Sequence, residues 1–98
     1  MENKLTELND ERAYLIYEGV ARQAVHDAGA ALRQLYKNPN NQKAWSTLKY
    51  DIIPYFNSDR CFAGSHVMMK LTIEQEMRLQ GMTEMPAVWQ KALALAMA

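Results

Sequence analysis

Few residues in this 98-residue chain carry chemistry, and their spacing limits what they can do. Asp59, Cys61 and His66 fall in one short stretch, and an imidazole beside a thiol can hold it as the reactive thiolate. Nucleophilic triads, however, gather their members from distant segments around an oxyanion-binding turn, and no such glycine turn is evident here. A lone cysteine next to Phe62 reads as a small hydrophobe. His26 and Asp27 are adjacent, and neighbours on a helix do not face each other, so they form no dyad. Glu74 and Glu76 diverge by about 200° around a helix and read as a solvated face.

Metal ligation needs paired ligands at fixed spacing, and Cys61, His26 and His66 supply none. The 4 glycines stand apart, at positions 19, 29, 64 and 81, so no loop is built to cradle phosphate. The chain is therefore expected to be a non-enzyme with no catalytic residue, no metal and no cofactor.

Eleven basic and eleven acidic residues cancel, so no whole-molecule field draws the chain to nucleic acid or to an anionic membrane. Charge is uneven along it. The first third leans acidic, whereas Lys37, Lys43, Lys49, Arg60 and Lys70 outnumber Asp51 and Asp59 in the middle. A single cysteine, an acidic polar start and the lack of any apolar run of about 18 residues point to a cytoplasmic chain with no membrane partner. With 49% hydrophobic residues, residues 1–98 should form one domain with a modest core.

The elements follow from periodicity. A helical pattern runs from about Asn9 to Lys37, with Asn9 or Thr6 as cap and Asp10 and Glu11 in its first turn. Ala13, Ile16, Tyr17, Val20, Ala24, Ala28, Ala31 and Leu35 form one apolar track, and Ala21, Val25, Leu32 and Tyr36 a second. At about 1.5 Å per residue this rod reaches roughly 40 Å, longer than its own core, unless it bends at Gly19 or Gly29. The small residues from Ala28 to Ala31 invite another helix to approach closely.

Asn38, Pro39, Asn40 and Asn41 break the pattern. A short helix follows, with Ala44, Trp45, Leu48 and Ile52 on one side, and should stop near Ile53 because Pro54 has no amide proton. Residues 54–64 lack periodicity but carry Tyr55, Phe56 and Phe62, which suggests a structured aromatic loop.

Residues 65–80 read as a helix capped by Ser65, with Met68, Met69, Leu71, Thr72, Gln75 and Leu79 on one broad side. The alternation of Val67, Met69, Leu71 and Ile73 also fits a strand, followed by a Thr72–Gln75 capping box. Helix is favoured because no second strand is present to pair with it. Gly81 ends it. Thr83 opens the last helix, with Pro86 in its first turn and Val88, Trp89, Ala92, Leu93 and Ala96 as its apolar face. The fold class is all-α: a small bundle of about four helices, the first long, with an aromatic-rich irregular loop.

These features suit a protein–protein interaction module, an adaptor or inhibitor that docks on a larger intracellular protein and modulates its activity. By analogy of type, small phage accessory proteins that act on a host enzyme have this profile. The expected docking residues are Tyr14, Tyr17 and Arg22 on the first helix and Tyr55, Phe56, Arg60 and Phe62 in the loop, all of types enriched at interfaces. A homodimer through the apolar stripe is a further possibility.

The alternative is a small nucleic-acid binder. Segment 43–70 interleaves Lys43, Lys49, Arg60 and Lys70 with Trp45, Tyr50, Tyr55, Phe56 and Phe62, as single-strand binders do. The C-terminal hairpin around Gly81 has helix-turn-helix spacing, but Glu84, Gln90 and Lys91 are the only long polar groups on its second helix, too few for a DNA reader.

Overall fold

The computed structural model describes residues 19–59, 61 and 63–97, and among them the chain is all-helical, with four helices and no strand. Helix α1 spans Gly19–Lys37. Helix α2 covers residues 42–56 in three parts: an α-helical Gln42–Ser46, a π-helical Thr47–Ile52 and an α-helical Ile53–Phe56. Helix α3 is Ser65–Gln80 and α4 is Ala87–Met97. The expected start of the first helix at Asn9 or Thr6, its overhang, and its residues Tyr14 and Tyr17 lie outside the described residues.

The α-helix runs unbroken through Gly29, so the glycine does not serve as a hinge. Ala28, Ala31, Leu32 and Leu35 are buried, while Ala24 and Val25 are only partly covered. Gly29 is needed for a close approach. A Cβ at this position would lie 2.6 Å from Glu76 Oε2, which belongs to α3. The same carboxylate accepts a hydrogen bond from Arg33, one turn further along α1. Glu76 is 4% exposed, so the reading of it as a solvated acid is corrected: it sits in the α1–α3 seam. Its other oxygen, Oε1, has no hydrogen-bond partner among the described residues.

Asparagines build the α1–α2 turn as their chemistry suggests. The Asn38 side chain accepts from the Asn40 N–H at 3.1 Å, and Asn41 caps α2 by accepting from the Ala44 N–H at 3.0 Å. Pro54, by contrast, does not end α2. Ahead of it the ladder widens, with the Ile53 N–H bonding to the Leu48 carbonyl, and the next wide rung would need the amide proton that proline lacks. Beyond it an α-type bond resumes, from the Asn57 N–H to the Ile53 carbonyl at 3.0 Å. Tyr55 and Phe56 are therefore helical, and not part of a loop.

Helix replaces strand at 65–80, but not with the expected caps. Gly64 occupies the cap position, and the Ser65 hydroxyl donates to the Ala96 carbonyl at 2.6 Å. The Thr72 hydroxyl bonds back to Met68, as mid-helix threonines do, so no capping box forms. Leu79, placed on the apolar side from its spacing, is 69% exposed, in the last turn of α3. Gly81, at φ 70, completes a Schellman motif in which Met82 N–H bonds to Met77 and Gly81 N–H to Arg78. The last helix begins at Ala87, not Thr83, with Pro86 just ahead of it, supplying its carbonyl to Trp89 and Gln90.

Alanine normally improves a helix interior by about 1 kcal/mol over glycine, but at position 29 it must displace a buried, paired carboxylate. Gly29→Ala should therefore lower stability by about 1–2 kcal/mol. In a Glu76→Ala background the same change should become stabilising, a reversal that a double-mutant cycle by urea denaturation would read directly.

Candidate functional site

The residues singled out for chemistry do not converge. The Cys61 thiol points to the Tyr55 carbonyl at 3.7 Å, while Asp59 and His66 are exposed. Glu74 is half-buried and diverges from Glu76. His26 and Asp27 lie on an exposed strip of α1, where Asp27 accepts from Gln23 at 2.9 Å. Among the described residues no three His, Cys, Asp or Glu side chains gather in a way that could hold a metal ion.

The proposed docking residues are scattered as well. Arg22 is exposed on the first described turns of α1, and Tyr14, Tyr17, Arg60 and Phe62 lie outside the described residues. Tyr55 is half-buried against the core. Phe56 is 0% exposed and belongs to the core itself, so its assignment as a surface anchor is corrected. Helical phase explains the change: Phe56 follows Ala44, Leu48 and Ile52 on the buried side of a helix that the sequence reading had stopped too early.

A different set of residues does converge. Between the first two parts of α2 and the C-terminal half of α4 lies a groove of about 320 Å³. Trp45 and Leu95 give it an apolar floor, Tyr50 stands beside it, and Lys49 and Lys91 face it from the two helices; Gln42 and Ser46 complete the lining. Trp45 is held by its indole N–H, which donates to the Pro39 carbonyl at 2.8 Å. Tyr50 is 66% exposed, and the Lys49 ammonium lies 5.4 Å from the centre of its ring. Among the described residues none that lines the groove is acidic, and neither lysine is paired with a carboxylate.

The π-helical stretch makes this arrangement. In an α-helix, residues five apart face away from one another, so Tyr50 would leave the side that carries Trp45 and Lys49. With bonds to the fifth residue, Thr47–Ile52 turns more slowly and brings Tyr50 back towards Trp45. In the sequence Trp45, Lys49 and Tyr50 share one basic aromatic segment, and nothing in it signals the wide turn. Lys91 stands there only among the polar groups of the last helix, with nothing to bring it beside Trp45.

Two other cavities are less suited to a ligand. One, of about 380 Å³, lies where α3 begins and α4 ends, but Ser65 and Asn57 already use their polar atoms there to hold the helices. The other, of about 80 Å³, lies beside Tyr36 and Trp89, whose ring centroids are 5.8 Å apart. No helix among the described residues is long and apolar enough to cross a membrane. Compared with family models, with curated proteins and with solved structures, the chain matches none.

Core and groove aromatics should respond differently to truncation. Phe56→Ala should cost about 3–5 kcal/mol by emptying a fully buried site. Tyr50→Ala should change stability by no more than about 0.5 kcal/mol. Urea midpoints of the two variants would show whether the aromatic side chains divide in this way.

Proposed function

We propose that this chain is a protein-interaction module, an adaptor or inhibitor that docks on a larger intracellular protein and alters what that protein does. The observation that carries the reading is the groove between α2 and α4, where Trp45, Tyr50 and Leu95 offer apolar and aromatic area and Lys49 and Lys91 offer positive charge. Tryptophan and tyrosine in a concave, partly desolvated site are the side chains that most often anchor a protein interface. Lysine stems add apolar cover while their ammonium groups choose the partner. Docking through this face leaves the α1–α3 seam undisturbed, so the module can engage a partner without repacking.

A second reading, binding of single-stranded nucleic acid, is favoured by one observation: exposed Tyr50 and partly covered Trp45 stand among lysines, as in stacking platforms. The groove's shape supports the protein partner better, since a strand of phosphates needs a continuous cationic track and the lining offers two lysines.

Affinity capture separates the two. The tagged chain is incubated with a lysate of the source cell in moderate salt, with nuclease added, beside a Tyr50→Ala/Lys91→Glu variant. One stoichiometric protein retained by the unmodified chain and lost from the variant is the expected outcome. A partner that both retain equally would remove the groove from the reading, and material that vanishes with nuclease would replace protein by nucleic acid.

A further inference from the structure

We infer that the groove between α2 and α4 receives an acidic amphipathic peptide segment, one that presents an aliphatic or aromatic side chain flanked by carboxylates. The inference rests on the docking reading above and names the chemistry of the partner. Its basis is the distribution of charge and apolar surface around one cavity. Lys49 and Lys91 reach it from separate helices, so a ligand lying in the groove passes between two cations. Among the described residues no lining side chain is acidic, and Asp51, the nearest acid in sequence to Tyr50, is not among them. A basic or neutral segment would leave both ammonium groups uncompensated as water is excluded, whereas carboxylates on either side of an apolar anchor pair with both.

The floor sets the anchor. Trp45 and Leu95 present apolar surface within a volume of about 320 Å³, room for one or two large side chains and not for a folded domain. Trp45 is fixed by its bond to the Pro39 carbonyl, which holds one wall of the site before a ligand arrives. Tyr50, 66% exposed, is the aromatic side chain of the groove that leaves the most surface to cover.

The same geometry weighs against a nucleic-acid base in this position. Stacking requires an open ring face, and the Lys49 ammonium lies over one face of the Tyr50 ring, 5.4 Å from its centre. A carboxylate binds that ammonium from outside without displacing it, whereas a base is confined to the other face.

The chain carries its own reporters. It contains two tryptophans, Trp45 at the groove and Trp89 in the core, each with its indole N–H bonded to a backbone carbonyl. In a nitrogen-15 correlation spectrum of the full chain they give two resolved indole signals. The probe is a synthetic peptide of about fifteen residues, with Leu and Phe at helical spacing and Glu and Asp between them. It is tested beside the same peptide with Gln and Asn in place of the acids, and beside oligothymidylate.

The acidic peptide should shift the Trp45 indole signal saturably while leaving that of Trp89 in place. The neutral peptide should bind at least about fivefold more weakly, as expected for two exposed ion pairs at low salt. A Lys49→Glu/Lys91→Glu variant, its fold reported by the unmoved Trp89 signal, should reverse the preference and favour a Lys-rich version of the peptide. Equal binding of the acidic and neutral peptides would overturn the inference, as would oligothymidylate shifting Trp45 at lower concentration than the acidic peptide does. Failure of the acidic peptide alongside persistent Tyr50-dependent capture of a protein would sink the partner chemistry alone. Failure of both would remove the docking reading with it.

Discussion

The fold depends most on a single buried hydrogen bond, from the Trp89 indole N–H to the Leu32 carbonyl at 2.7 Å, which joins residues 57 apart in sequence. Leu32 lies in the middle of α1, and its carbonyl has a lone pair to spare beyond the helical rung. Trp89 is fully buried, so an unmade bond would leave a polar N–H stranded at a cost of about 1–3 kcal/mol. That penalty selects one rotation and one height of α4 against α1. Since α1 leads directly into α2 through a three-asparagine turn, fixing α4 on α1 also fixes it relative to α2. The groove is the space left between those two helices, so its width follows from a contact on the opposite side of α4.

Two buried polar residues, Ser65 and Glu76, hold α3 in the assembly at positions that a simpler core would have made apolar. At its start, the Ser65 N–H is taken by Asn57 at 3.0 Å while the Ser65 hydroxyl reaches the Ala96 carbonyl, so one residue ties the end of α2, the start of α3 and the end of α4. One of the orphan donors of α3 and an orphan acceptor of α4 are satisfied by the same residue. Nearer its C-terminal end, Glu76 meets Gly29 and Arg33 of α1. A carboxylate with one oxygen unpartnered is costly to bury, and its gain over a hydrophobic side chain lies in register: Gly29 is where α1 has no Cβ to collide with it, and a one-turn slide would set it against Val25 or the Arg33 stem.

How much of this was legible in the sequence depends on whether the deciding interaction was local. Breaks and stops that act within a few residues could be read directly: Gly81 at the end of α3 and the break at Asn38–Asn41, although not which asparagine caps α2. Helix over strand at 65–80 followed from the lack of a partner strand. What failed to show were choices made by distant neighbours. Glu76 has the spacing of a surface acid, and only the proximity of Gly29 makes its position a buried one. Ser65 looks like a cap until Ala96 arrives to accept its proton. Leu79 has an apolar position by phase, yet it is exposed in the last turn of α3. The groove was the least legible of all, since Lys91 is more than forty residues from Trp45 and nothing in either segment signals the other.

Pro54 misled for a different reason, and the reason shows how α2 works. Its buried residues, Ala44, Leu48, Ile52 and Phe56, are spaced by four throughout. In a regular α-helix each such step drifts by about 40°, so three steps carry Phe56 about 120° away from the side that holds Ala44. A wide turn drifts the other way, because four residues then fall short of a full circle. Placing Thr47–Ile52 in the middle of α2 therefore cancels much of the drift and keeps all four side chains against the core. Proline is suited to the end of that stretch, where the ladder is already changing register and a missing amide proton costs least. One local irregularity thus has two effects: it buries Phe56 on one side of α2 and brings Tyr50 beside Trp45 on the other. The core and the groove are set by the same turn, so the packing that buries Phe56 also positions Tyr50.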